Sequence, residues 1–174
     1  MAEIFEPIKG KDKILFFRLL KDAAAKKATR ILYQVEHTIS YSNETEEKQT
    51  KDGNLQQSSG LSTTINLNAV VTNDETNRAM RDAVKTGDTI ELWEVDLQSM
   101  SDSGECDALY MRGKLNSWED PANVSDYAEF STTVAVIGEP KEGKVKLTKE
   151  EHDAIQYAFR DLEIASESEA DAEA

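Results

Sequence analysis

The side chains best suited to acid–base, metal or nucleophilic chemistry are 34 carboxylates, two histidines and one cysteine. A carboxylate pair can act as general acid and base, but its separation specifies the reaction. With 34 to choose from, pairs can be picked at will and none stands out. His37 sits on the apolar side of an alternating run, the setting of a packed, hydrogen-bonded imidazole, and His152 falls on the polar side of a helical run. Cys106 has no basic neighbour in sequence to lower its pKa, so it reads as a small buried thiol. Asp96, Asp102, Glu105 and Asp107 crowd one segment without the spacing of a calcium loop, as a solvated polar loop would. There is no H-E-x-x-H, C-x-x-C, G-x-G-x-x-G, Walker or G-x-S-x-G motif. Trp93 and Trp118 suit a core or an interface equally. No catalytic, cofactor-binding or metal-binding residue is assigned, and a non-enzymatic protein is expected.

Composition narrows the class. The chain has 174 residues, is 39% hydrophobic and 31% charged, and has a mean hydropathy of -0.59. That is enough apolar sequence for one globular domain, with a polar remainder. The formal charge is -14, and the segment after Leu162, EIASESEADAEA, contributes five acids and no base. The rest still carries -9. Binding nucleic acid by counterion release needs clustered Lys and Arg, which such a body lacks. An acidic wall can still serve DNA by repelling it, so that it slides without sticking. Cys106 alone forms no intrachain disulfide, which fits a reducing compartment. No apolar run suggests a signal peptide or a membrane span, so no membrane association is expected. The sequons at Asn43 and Asn123 are read as chance.

The elements that would position any working surface are clearest over residues 30–72. Ile31, Tyr33, Val35, Ile39 and Tyr41 share one face of a strand, and Gln34, Glu36, Thr38 and Ser40 share the other. Leu61, Thr63, Ile65, Leu67, Ala69 and Val71 then alternate with Ser62, Thr64, Asn66 and Asn68. Alternation of this length predicts two half-buried antiparallel strands. Between them residues 43–60 hold almost no apolar side chain and read as a long, mobile inter-strand loop. Its charges are Glu44, Glu46, Glu47 and Asp52 against Lys48 and Lys51, and its large apolar residue is Leu55, beside Gln56.

Residues 1–12 read as an N-terminal arm with Phe5 and Pro7 as docking points. KILFFRLL (13–20) is a strand apolar on both faces. NDETNRAMRDAVKTG is a one-sided helix capped at Asn73 or Asp74 and ended by Gly87. DTIELWEVDL (88–97) shifts apolar phase between Leu92 and Trp93, which implies a bulge or a strand covered on both sides. Strands follow over 106–118 and 127–138, the latter with Phe130, Val134 and Val136 inward. EPKEG is a break before the short strand KVKL. A last helix carries a capping box of Thr148 and Glu151. Residues 163–174 are too acidic to fold alone. The fold class is α+β, with strands packed as a β-sandwich.

ILYQVEHTISYSNETEEKQTKDG, GDTIELWEVD and above all GEPKEGKVKLTKEEHDAIQYAFRDLE carry a resemblance. The chain resembles the major tail proteins, or tail tube proteins, of long-tailed phages of Gram-positive bacteria, in particular lactococcal ones. The resemblance implies two packed, mostly antiparallel sheets with a flanking helix, spanning a tail tube domain over 13–162. It implies hexameric rings whose inner sheets join into a barrel and which stack into a tube for DNA passage. Partners would be other copies of the chain and tail components such as tape-measure, terminator and distal tail proteins. The setting would be the virion tail, after assembly in the host cytoplasm. The expected lumen residues are Gln34, Glu36, Thr38, Ser40, Ser62, Thr64, Asn66 and Asn68. The loop 43–60 would contact the next ring. The inner tube of a contractile injection or secretion machine is the alternative.

Overall fold

Among the described residues the alternation becomes strand from Gln34 onward, whereas Leu32 and Tyr33 form a turn that leaves Tyr33 exposed, and every pairing is antiparallel. The computed structural model describes residues 5–155. The strands are β1 (Lys13–Leu19), β2 (Thr29–Arg30), β3 (Gln34–Thr50), β4 (Gly53–Val70), β5 (Thr89–Asp96), β6 (Glu105–Glu119), β7 (Glu129–Val136) and β8 (Lys141–Lys146). Helix α1 spans Glu75–Thr86, and α2 covers Lys149–Ile155. All the strands join one sheet in the order β2-β1-β5-β6-β7-β4-β3, with β8 on a separate stretch of β6.

The two packed layers expected from the sequence are therefore two halves of one sheet folded over on itself. On a flat sheet β3 and β5 would lie four strands, or about 19 Å, apart. Instead His37 Nε2 on β3 is 2.6 Å from Glu94 Oε2 on β5, and Lys13 Nζ on β1 reaches the other Glu94 oxygen at 3.0 Å. The Gln34 amide closes the seam: its oxygen accepts from the Leu15 N–H at 3.0 Å, and its nitrogen donates to the Leu15 carbonyl at 2.9 Å.

Between the halves lies a core of Leu15, Phe17, Ile65, Leu67, Ile90, Leu92, Met111, Phe130 and Val134, with Met80 and Ala83 supplied by α1. Burying each large side chain contributes about 1.5–3 kcal/mol. On the reverse face of β1, β5 and β6 a second cluster joins Phe16, Val95, Leu97, Cys106, Ala108 and Leu147, with Val145 of β8 and Ile155 of α2 packed against it. β1 is thus apolar on both faces, as its pattern requires. β5 pairs without interruption on both edges, so its phase shift marks a strand covered on both sides and no bulge. Trp118 stacks on Phe130 at 4.2 Å, and Trp93 packs against the second cluster, so both tryptophans serve the core.

Asp74 precedes α1 as expected, but its side chain makes no capping hydrogen bond; the other helix signals hold. Gly87 ends α1 at φ 72, the left-handed geometry that glycine adopts without strain. The capping box is reciprocal: the Glu151 N–H donates to Thr148 Oγ1 at 3.2 Å, and the Thr148 N–H donates to Glu151 Oε2 at 3.0 Å. β8 begins earlier than expected, at Lys141, and pairs with β6 instead of its sequence neighbour β7. The acidic segment 163–174 lies outside the described residues.

Two predictions follow from this architecture. Gly113 sits where β6 meets β7, and a Cβ there would lie 2.5 Å from the Ala135 carbonyl oxygen and 2.8 Å from Val134 Cγ1. Gly113→Ala should cost about 1–3 kcal/mol by overpacking, read as a lower denaturation midpoint. Burial pushes the Glu94 carboxyl up, but hydrogen bonds from His37 and Lys13 outweigh it and hold the pKa below the usual value of 4.5. A depressed folded-state pKa stabilises above the unfolded value and loses that contribution as pH falls through the folded one. Glu94→Gln should therefore cost about 1–3 kcal/mol at neutral pH. The gap to wild type should close progressively below pH 4.5. A gap that stays constant down the acid limb would contradict the assignment.

Candidate functional site

Register assembles the polar face. Glu36 lies beside Asn68, Thr38 beside Asn66, Ser40 beside Thr64 and Ser42 beside Ser62. β7 extends the row with Ser131 next to Asn68 and Thr133 next to Asn66, and Thr133 Oγ1 donates to Asn66 Oδ1 at 3.0 Å. β6 adds Ser117 beside Thr133 and Glu119 beside Ser131. The result is a four-stranded surface of hydroxyls and amides that also carries Glu36, Glu119 and Glu129 and, in the row of Ser40, Thr64 and Ala135, the exposed Lys114 of β6. Seven of the eight residues expected on this face are brought together on it. The contributions of β6 and β7 were missed, although the inward Phe130 and Val134 already imply an outward Ser131 and Thr133.

Gln34 is the exception. A register shift between Gln34 and Glu36 puts Gln34 opposite Ala69, on the core face, where its amide clamps β1. A bulge adds one residue and so exchanges faces, which simple alternation cannot show.

The expected loop is also corrected. β3 and β4 stay paired out to Thr50 and Gly53, so residues 43–60 form the far half of a single hairpin, turning at Lys51–Asp52. From Asn43 to Thr50 the hairpin projects about 25 Å beyond the core, at ~3.3 Å per residue. Across the ladder every second residue pairs its backbone N–H and C=O, the outward groups and both side-chain faces meet water, and so no apolar periodicity announces the strand. The Ser59 hydroxyl donates to the Glu44 carbonyl at 2.8 Å, and Asn54 bonds Glu47 across the ladder. Glu44, Glu46, Glu47, Lys48, Lys51, Asp52, Leu55 and Gln56 are all exposed, Leu55 at 62% and opposite Lys48.

Unpaired edges complete the surface. β3 is a terminal strand of the sheet, and β5 accompanies β6 only as far as Lys114, which leaves Leu115–Glu119 open on that side. The other free edges are blunted. β2 spans two residues, and β8 carries Lys141, Lys144 and Lys146.

His37 is committed to Glu94, and the His152 ring lies 3.4 Å from Asp153. Burial, then the charges of Asp96 and Asp107, push the Cys106 thiol up, away from a reactive thiolate. Among the described residues no group of three or more His, Cys, Asp or Glu could hold a metal ion, and no helix is long and apolar enough to cross a membrane.

Known proteins share this arrangement. The model of the phage tail tube protein family matches residues 7–142. The tail tube protein gp17.1* of Bacillus phage SPP1 is 27% identical over 149 residues, which is 83% of this chain and 55% of that protein. The chain thus spans about half the length of this curated relative. A solved SPP1 tail tube structure has a TM-score of 0.69 at 22% identity, covering 93% of this chain and 92% of the other. The tail of an empty gene transfer agent particle scores 0.58 at 17% identity over 78% and 98% of the two chains. The sheath/tube terminator of an extracellular contractile injection system scores 0.56 at 13% identity over 81% and 99%. The chain belongs to the phage tail tube protein family.

Proposed function

We propose that this chain polymerises as stacked hexameric rings into a phage tail tube, a non-enzymatic channel for DNA. The observation that carries the reading is the polar four-stranded face with a free edge on each side. β3, β4, β7 and β6 alternate in direction, so β6 runs opposite to β3. Residues Leu115–Glu119 of one copy can then pair antiparallel with β3 of the next, extending the sheet copy by copy into a barrel. The polar face lines its lumen. Hydroxyls and amides dominate this face, and Glu36, Glu119 and Glu129 outnumber its cation Lys114, so DNA phosphates find little net attraction and friction stays low.

The projecting hairpin serves stacking. It carries its contacts about 25 Å clear of the subunit core, and contacts repeated around a ring need only be weak individually. Its mixed charges set register and reject wrong partners. Tape-measure, terminator and distal tail proteins complete the assembly, which forms in the host cytoplasm and ends in the virion tail. The fold shared with the injection-system terminator supports one second reading, the inner tube of a contractile machine. Micrographs of intact particles showing a sheath would move the assignment there.

Two experiments test the proposal. Replacing residues 45–58 by a short turn should leave folded subunits with an unchanged far-UV spectrum that form no long tubes under negative stain; normal tubes would refute the stacking role. Lysine at Glu36, Thr38 and Asn66 should leave tubes intact and slow DNA release from particles at least tenfold, because cations on the wall would hold phosphate. Unchanged release kinetics would remove these residues from the lumen.

A further inference from the structure

Large apolar residues left in water collect at the two ends of the subunit, and register fixes which end. β4 sets Thr63 beside Tyr41 at the root of the hairpin arm and Val70 beside Glu129 at the opposite end, roughly 24 Å away at ~3.4 Å per residue. At that far end lie Tyr33, whose carbonyl accepts from the Val70 N–H, and the 120–128 loop joining β6 to β7. Within the loop Val124 is 104% exposed and Tyr127 85% exposed. The Ser125 N–H donates to Asn123 Oδ1 at 3.0 Å, so a formed turn holds Val124 at its tip.

The arm end is the counterpart. A cleft of about 710 Å³ runs between β3 and Gly10–Ile14, lined by Ile14, Ile39, Leu109 and Tyr41. Gln34 bonds Leu15, and His37 and Lys13 meet on Glu94, so β1 runs back along β3 and brings Lys11 to the Tyr41 end. Tyr41 and Leu61 are exposed there, as is Ile8 on the adjoining arm. Charge is complementary. Glu119, Asp120, Asp126 and Glu129 surround the loop, with no Lys or Arg from residue 115 to 140, whereas Lys11 and Lys13 line the cleft beside Glu36 and Glu94. Glu94 is already paired with Lys13 and His37, and Lys11 stands at the Tyr41 end.

We propose that the 120–128 loop of one copy seats on the mouth of this cleft in a second copy of the adjoining ring. Val124 and Tyr127 pack on Tyr41 and Ile39, and Asp120 and Asp126 face Lys11. The inference rests on the stacked-ring reading and names the surfaces that meet. Because the two ends differ, the contact is head to tail and propagates along an axis. Each contact is small, and repetition around the ring makes the stack.

The test is a chain carrying Val124→Cys and Tyr41→Cys, assembled and treated with a short bis-maleimide. Cys106 is buried, so the wild type serves as the unreactive control. The expected result is a denaturing-gel ladder longer than one ring, with either single variant staying monomeric. Tubes that form without cross-links, or a ladder that stops at one ring, would overturn the proposal while leaving the tube reading intact. A wild type that forms no tubes would instead sink the tube reading. Should the cysteine pair block assembly, charge reversal decides. Lys11→Glu and Asp126→Lys should each raise the critical concentration at least fivefold, and their combination should restore it. No restoration would overturn the contact.

Discussion

One strand is longer than the partners that flank it, and the rest of the architecture follows from how β6 divides its hydrogen bonds. Its 15 residues pair on one edge with β8 over Glu105–Tyr110 and with β7 over Gly113–Glu119. On the other edge β5 stops at Lys114. The sheet therefore parts around β6: one half continues through β7, β4 and β3, and the other through β5, β1 and β2. Gly113 sits at the parting, where the close Ala135 backbone leaves no room for a side chain. Parting lets the halves fold face to face, and among the described residues it leaves Leu115–Glu119 without a strand partner on the edge away from β7.

The outer half is held stiff by a polar network that a lone apolar layer could not supply. Glu91 is buried, yet Arg18 Nε reaches one carboxylate oxygen at 2.7 Å, and the Tyr110 hydroxyl donates to the other at 2.6 Å. Arg112 Nε in turn donates to the Tyr110 oxygen at 2.6 Å, and the Arg18 guanidinium lies 5.1 Å from the centre of a Trp93 ring. Burying a carboxylate costs several kcal/mol unless it is paired and hydrogen-bonded, and here both oxygens are engaged. Arg18 also donates to the Ala23 and Lys26 carbonyls, which ties the connection after β1 to the sheet. On the inner half, Gln34 and the His37–Glu94–Lys13 cluster hold β3 at a set distance from β1. A terminal strand fixed this way offers its open edge in one geometry.

Edges, charge and exposed apolar residues point in the same direction. An open edge invites association, and this chain blunts β8 with lysines and keeps β2 to two residues while leaving β3 rich in Ser and Thr. A net charge of -14 discourages indiscriminate clumping, so association has to pass through matched surfaces. That combination suits a subunit that polymerises in one defined way.

Pattern alone left a bulge and two-sided cover both open for β5, but it settled most strands around the core, the Gly87 end of α1, the capping box that starts α2, the double-sided burial of β1, and the polar set from Glu36 to Asn68. Each of these depends on local alternation, helical spacing or a capping residue, all of which are written along the chain. Three features were decided elsewhere. Gln34 moved to the core face because a bulge before Glu36 shifts the register, and bulges answer to the partner strand. The 43–60 segment became a ladder through backbone pairing between β3 and β4, while its side chains meet water on both faces, so no periodicity could mark it. The single folded sheet and the open edge at Leu115–Glu119 arose because β6 outruns β5, and relative strand lengths and long-range register exist only once the strands have met.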